Sequence, residues 1–369
     1  MIKITKERLF EVISQFDIPG EVISAKVFGD GHINDTFHVI SQVGTEQKIY
    51  TLQRINGTVF KDCDQLIENI QKVTSFLAKK IAENGGNPER ETLQLVPTKD
   101  GHLYLKGKRN DGWRVYQFID DAVSYNSVVS AEKFKESGYA FGNFQYLLAE
   151  FPADQLHETI ANFHNTEDRF AKFKHAVEQD VMGRAKEVQE EIAFIMERED
   201  DCRFFNQLYK NGEIPHRVTH NDTKLNNVLF SSETGKAFCV IDLDTVMPGF
   251  AAHDFGDAIR FGASTGAEDE VDLSKVSCNM ELYEAYLQGF LEGCRGKLTR
   301  REIETLPMGA KLMTFECGMR FLTDYLEGDV YFKTHRPGHN LDRTRTQLKL
   351  VYDMELKWEE IEQIVQKYL

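Results

Sequence analysis

The sequence predicts an α+β chain in two parts, a small antiparallel sheet with one helix followed by a large, mainly helical remainder. Three observations predict it. Short runs rich in Val, Ile, Phe, Tyr and Thr crowd the first 120 residues, apolar residues beyond residue 121 recur at three-to-four spacing, and the strands of this second part are those flanking Asp242.

The elements follow in order. Residues 22–29, 36–40 and 49–54 read as three short strands, and from Asp62 the pattern turns helical, with Leu66, Ile70, Val73, Leu77 and Ile81 on one stripe. Asn84-Gly-Gly-Asn-Pro88 stops that helix. Strands at 93–97, 103–107 and 113–119 come next, and Asn110-Asp-Gly112 is the turn signal before the last. Helical stripes cover 134–151, 181–196, 280–291, 308–326 and 348–368, and Thr299-Arg-Arg-Glu302 reads as a capping box. No repeat, low-complexity tract or long linker separates the parts.

Composition narrows the class. A chain of 369 residues with 41% hydrophobic content can fill the core of two lobes. No apolar run approaches the length of a bilayer span, and the first ten residues lack a signal-peptide core, so a soluble, cytoplasmic protein without membrane attachment is expected. Cys63, Cys202, Cys239, Cys278, Cys294 and Cys317 form no CxxC pair and read as reduced, mostly buried thiols. A net charge of −15 argues against a nucleic-acid partner.

The run Val218-Thr-His-Asn-Asp-Thr-Lys-Leu-Asn-Asn-Val-Leu-Phe230, followed by Val240-Ile-Asp-Leu-Asp-Thr245, carries the chemistry. It sets Asp222 and Asn227 five residues apart on a loop and adds Asp242 after an apolar strand. Phosphoryl transfer asks for such a set: a carboxylate to take the proton of an attacking hydroxyl, and hard oxygen ligands for a Mg²⁺ that rides on phosphate oxygens. Asp222 suits the first role, and Asn227 with Asp242 the second. Asn and Asp clusters are also the usual material of turns. The hairpin predicted across 227–241, which would return Asp242 to the loop, favours catalysis.

The β-β-β-α-β-β order matches the nucleotide-binding lobe of a protein-kinase-like bilobal fold. The division expected is 1–120 for that lobe, with residues 116–120 as hinge, and 121–369 for the catalytic and acceptor-binding lobe. The segments His220-Asn-Asp-Thr-Lys-Leu-Asn-Asn227, Ile241-Asp-Leu-Asp-Thr-Val-Met-Pro-Gly249 and Asp254-Phe-Gly-Asp-Ala-Ile-Arg-Phe-Gly-Ala-Ser-Thr265 resemble the aminoglycoside phosphotransferase and choline kinase superfamily. Within it they are most similar to the N-acetylhexosamine 1-kinases.

The kinase-like order places nucleotide contacts. Gly29 and Gly31, between the first two strands, can bring backbone N–H groups to phosphates, although a GxG there is also an ordinary hairpin turn. Gln117 and Phe118 fall in the hinge, where adenine is expected. Where protein kinases carry a third-strand Lys this chain has Arg54, with Glu68 as its expected partner; an outward-facing Arg on an edge strand is the alternative.

The resemblance implies that His32 and Asn34 lie above the sugar and Asp222, Arg320 and Tyr331 below it. It implies also that Asp254 and Asp257 support the catalytic loop, that His220 is structural, and that Asp244 stands behind the metal. Arg320 has Glu316 and Asp324 one turn away on either side, the spacing of plain helical ion pairs, Tyr331 could be packing, and His32 and Asn34 could be turn residues. The activity expected is ATP- and Mg²⁺-dependent phosphorylation of the anomeric hydroxyl of GlcNAc or GalNAc. The alternatives are another acceptor on the same scaffold (aminoglycoside, choline, homoserine or a different sugar) and a catalytically silent kinase-like regulator.

Overall fold

Side-chain alternation sorts the first sheet into an apolar and a polar face. In the computed structural model, which describes residues 4–29, 33–107 and 110–369, the sheet consists of β1 (Glu21–Val27), β2 (Asp35–Val43), β3 (Glu46–Ile55), β4 (Leu95–Val96), β5 (Leu105–Lys106) and β6 (Gly112–Gln117). The spatial order is β1-β2-β3-β6-β4, with β5 also on β6, and every pairing is antiparallel. Phe37, Val39, Leu52, Trp113 and Val115 project from one face and pack with Leu9, Val12, Ile13 and Phe16. Three of these four belong to a helix, Lys6–Ile13, capped by the Thr5 side chain. The sequence reading had one helix in this part. Eight residues are too few for a convincing stripe, and the helix owes its stability to the sheet it covers.

On the other face, Thr36, Gln53 and Arg114 stand side by side on β2, β3 and β6. Gln53 donates to Thr36 Oγ1 at 3.2 Å and accepts from Arg114 Nε and Nη2 at 3.0 and 2.7 Å. The helix Cys63–Glu83 starts on the Asp62 cap, as its stripe predicts.

The chain divides into two units. The first comprises Met1–Val123, Asp154–Ala161 and Leu229–Met247; the second comprises Ser124–Ala153, Asn162–Val228 and Pro248–Leu369. The hairpin leading to Asp242 is formed, with Val228–Ser231 paired to Ala237–Val240 and also to Ala122–Val123. Among the described residues no helix is long and apolar enough to cross a membrane, and all six cysteines are free thiols, five of them buried.

Helices build the second unit, and glycines set how close they come. A Cβ on Gly142 of the helix Ala131–Leu147 would stand 2.0 Å from the carbonyl oxygen of Phe290, and one on Gly289 of the helix Met280–Cys294 would stand 2.0 Å from that of Lys135. The helix Ala251–Gly262 is buried nearly all round and was not read as a helix from the sequence. Residues 181–196 are α-helical only over Gln189–Met196, after a 3-10 turn at Ala185–Glu187, because the left-handed backbone at Asp180 and Gly183 ends the preceding helix in a turn. The last stripe is two helices, His339–Leu356 and Trp358–Gln366.

Gly142→Ala should therefore cost stability on the scale of overpacking, about 1–3 kcal/mol, seen as a lower urea midpoint. A midpoint at the wild-type value would mean that the two helices part freely.

Candidate functional site

The loop that carries Asp222 is held by its backbone. Asp254 accepts the N–H groups of His220 and Asn221 at 2.9 and 2.8 Å, and Asp257 accepts that of Thr223 at 2.9 Å. Thr223 Oγ1 donates to the Asp254 carbonyl at 2.6 Å. These bonds maintain Asn221 at φ +63°, a left-handed conformation that a side chain rarely takes and Asn tolerates best. Burial pushes the Asp254 carboxyl above its ordinary value, against the His220, Asn221 and Gln145 donors that favour its charge. Burial also acts on Asp257, where the Arg260 guanidinium prevails and lowers its pKa. The expectation that both aspartates support the loop is met. His220 is structural as expected, accepting the Asp222 N–H on Nδ1 at 3.2 Å while its ring packs against Phe141 and Phe144.

Asp222 is gripped on both carboxylate oxygens. Lys224 Nζ lies 2.8 Å from Oδ1, and Asn227 Nδ2 donates to Oδ2 at 3.2 Å and to the Asp222 carbonyl at 2.8 Å. The Asp222 charge, more than burial, sets the Lys224 pKa and raises it. The sequence reading missed Lys224, although its place two residues after Asp222 was a signal. Among the described residues no group donates to Asn227 Oδ1, which remains a hard oxygen donor of the kind Mg²⁺ takes.

Beneath the loop lies a buried ion pair. His164 presents Nδ1 to Glu316 Oε1 at 2.9 Å and Nε2 to the Asn221 carbonyl at 3.2 Å. Two acceptors require two N–H groups, hence an imidazolium. Burial opposes that charge, but the Glu316 carboxylate prevails and raises the His164 pKa. Glu316 also accepts from Thr166 Oγ1 at 2.7 Å and is drawn down to about 2 despite its burial. His253, whose ring stands 5.7 Å from that of His164, is pushed down to about 3 by burial and by the His164 charge, and stays neutral.

The ion pairs that would have made Arg320 an ordinary helical residue are not formed. Glu316 is committed to His164 and Thr166. Asp324 accepts the N–H groups of Val330, Tyr331 and Phe332 at 2.9, 2.7 and 3.0 Å and the Asn340 amide at 2.8 Å. The Arg320 guanidinium lies instead over the rings of Phe163, Tyr331 and Phe332 at 5.7, 5.8 and 5.4 Å, and among the described residues it makes no hydrogen bond or ion pair. Tyr331 is 63% exposed, so it is not there as core packing.

In the first unit Asp242 ends its hairpin at φ +60°, again left-handed. Two residues on, Asp244 Oδ1 meets the buried Arg114 Nη1 at 2.5 Å and Oδ2 accepts the Asn34 amide at 2.6 Å. Burial works against the Arg114 charge, but Asp244 outweighs it and the pKa is raised. The buried Asn69 fixes the same turn, donating to the carbonyls of Val246 and His157 at 3.2 and 2.8 Å. Arg114 was overlooked in the sequence as one charge among apolar strand residues.

Asn34 uses both ends of its amide here, since its Oδ1 accepts the Asn56 N–H at 3.0 Å. Arg54 does not pair with Glu68. It lies 3.5 Å from both Asp35 and Asp111, across β2 and the β6 turn, while Glu68 meets Lys72 at 2.7 Å and His157 at 2.9 Å. Gly29 adopts φ +73°, and Gly31 and His32 lie outside the described residues. The N–H groups of Gln117 and Phe118 are taken by Gln94 and Ile49 at 2.9 and 3.1 Å. The Phe118 ring meets Phe28 and His38 edge-on at 5.9 and 5.2 Å, with Phe28 46% exposed. The described residues hold no cluster of three His, Cys, Asp or Glu side chains fit for a metal.

A family model described as the phosphotransferase enzyme family matches residues 24–301, and the chain belongs to that family. It is therefore a phosphotransferase. Solved structures of similar fold include a microcompartment-associated aminopropanol kinase (14% identical, TM-score 0.58, 97% of this chain and 99% of that one). A spectinomycin phosphotransferase in complex with ADP and spectinomycin is 14% identical, with TM-score 0.59 over 96% of this chain and 98% of that one. Choline kinase from Cryptosporidium parvum is 14% identical, with TM-score 0.57 over 98% of each. At such identities the likeness is one of fold.

The ion pair under the loop has a pH signature. Glu316 stabilises the fold above its ordinary value of 4.5 and loses that contribution as pH falls toward about 2. His164 contributes fully below its ordinary 6.5 and loses its share as pH rises through its raised folded value. Glu316→Gln should then cost about 3–5 kcal/mol near pH 6, the scale for breaking a buried pair, and the deficit should shrink on acidification below 4.5 in urea titrations. A deficit constant down to pH 3 would contradict the pairing.

Proposed function

We propose that this phosphotransferase transfers the γ-phosphate of ATP to the anomeric hydroxyl of an N-acetylhexosamine, GlcNAc or GalNAc, giving the sugar 1-phosphate. The observation that carries the chemistry is Asp222, gripped through both oxygens by Lys224 and Asn227 on a backbone-pinned loop. The acceptor class rests on Arg320, left without a carboxylate beside the exposed Tyr331. A forked guanidinium suits the N-acetyl carbonyl and ring hydroxyls, and an aromatic face suits a pyranose.

The acceptor hydroxyl donates its hydrogen bond to Asp222. As its oxygen bonds the γ-phosphorus and the bond to the ADP oxygen breaks, the proton passes to the Asp222 carboxylate. The neighbouring Lys224 holds that carboxylate in place through Oδ1. An anomeric hydroxyl is more acidic than an ordinary alcohol, and in phosphoryl transfer positioning supplies most of the rate. Asn227 and Asp242 would hold Mg²⁺, which when bound neutralises charge on the phosphate oxygens. Phe118 with Phe28 offers a ring surface for adenine, and the turn at Gly29 a flank for the phosphates. Asn34 serves the Asp244 turn in this reading, and Arg54 the ties across β2 and β6.

An ADP-release assay with ATP and Mg²⁺ across GlcNAc, GalNAc, glucose, choline, homoserine and kanamycin tests the reading. Turnover with the N-acetylhexosamines supports it, turnover with another acceptor alone replaces the sugar, and ATP binding without any turnover points to a silent regulator. Asp222→Asn should lower kcat by at least about 10²-fold with ATP affinity retained; turnover near wild type would remove Asp222 from the mechanism. Asp242→Ala should abolish Mg²⁺-dependent turnover and weaken Mg²⁺–ATP binding by calorimetry, and unchanged binding would place the metal elsewhere.

A further inference from the structure

We infer that Arg169 acts together with Arg320 to give the acceptor site a fixed positive charge, so that it selects acceptors presenting a carbonyl or anionic oxygen and rejects those presenting a protonated amine. The inference rests on Arg320 as an acceptor contact and goes beyond it in naming a second residue and a charge rule.

Both guanidiniums converge on Phe163. Arg320 lies over its ring at 5.7 Å, and Arg169 donates to its carbonyl from Nε and Nη2 at 3.4 and 3.0 Å. Neither has a carboxylate partner among the described residues. The acid that lies between them in chemistry, Glu316, is spent on His164 and Thr166, and its charge is already matched by the His164 imidazolium. The neighbourhood of Phe163 thus holds two guanidiniums with no carboxylate at ion-pair distance among the described residues, although Glu316 and Asp168 act on Arg169 from further away. Burial lowers the Arg169 pKa, and the Arg320 charge lowers it further, as expected of like charges held close.

The aromatic residues point the same way. Phe163, Tyr331 and Phe332 form the sort of cage that binds a quaternary or protonated amine. Here the protein fills the cage with its own Arg320. A cationic acceptor would find two guanidiniums opposing it. An amide carbonyl, a carboxylate or a sulfate would meet the Arg320 guanidinium, with the positive charge of Arg169 close behind it. The backbone of 330–332 is fixed by Asp324, which holds the two rings that it carries in place.

The test compares acceptors that differ only at C2, with kcat/KM measured for GlcNAc, glucose and glucosamine from about pH 6, below the ordinary range of such amines, upward. The wild type should disfavour glucosamine against glucose by at least about tenfold near pH 6, the scale of one unfavourable charge contact, and the gap should close as the amine loses its proton. Arg169→Gln should narrow the GlcNAc-to-glucosamine ratio by at least about tenfold without changing the ATP KM, and Arg169→Lys should keep most of the ratio. Glucosamine used as well as glucose near pH 6, or an unchanged ratio in Arg169→Gln, overturns the charge rule while the sugar reading stands. Turnover of an uncharged or anionic alcohol that is not a sugar, with choline and kanamycin refused, supports the charge rule and removes the sugar. Turnover confined to choline or kanamycin overturns both. Should Arg169→Gln fail to fold, the wild-type pH series alone decides.

Discussion

The backbone N–H groups of His220, Asn221 and Thr223 all donate to carboxylates of one buried helix, and the position of Asp222 depends on them. Left-handed backbone at a non-glycine residue costs on the order of 1–3 kcal/mol. The loop can hold Asn221 in it only because Asp254 takes its N–H and His164 its carbonyl. Carboxylates suit the task because a buried anion must collect donors to remain charged. The site therefore rests on a chain of obligations: Asp254 needs the loop, the loop needs Asp254 and His164, and His164 needs Glu316.

The same logic recurs at Asp242. Asp242 is itself left-handed, and Asp244 anchors its turn through a fully buried Arg114. That guanidinium reaches inward because strand alternation gives the sheet a polar face, on which Gln53 and Thr36 complete its bonds. In both places a strained residue is fixed by a charged group whose own burial is tolerable only when the fixing bond is made. Arg320 is the exception. Its helix could have supplied two carboxylates, and both are used elsewhere, so it is an unmatched cation beside an exposed ring.

Strand alternation and the Asp62 helix were legible because each element writes its own period into the chain. Asp222, Asn227 and Asp242 drew notice in the sequence because their residue types and spacing match one chemistry. The helix Ala251–Gly262 was not read as a helix, although its aspartates were identified as loop supports from family likeness. Arg54 with Glu68 misled because a familiar strand-to-helix pair was assumed, whereas Asp35 and Asp111 are nearer along the sheet. Arg114, Lys224 and Arg169 were missed for a common reason. Their importance lies in what their partners lack or supply across long stretches of sequence, and no local pattern carries that.

The central claim concerns which oxygen receives the phosphate, and phosphorus NMR of the product formed from ATP and GlcNAc reads it directly. The account predicts a single phosphomonoester signal coupled to the anomeric proton. A signal coupled to the C6 protons, or no phosphorylated sugar at all under conditions where ATP binds, would contradict it.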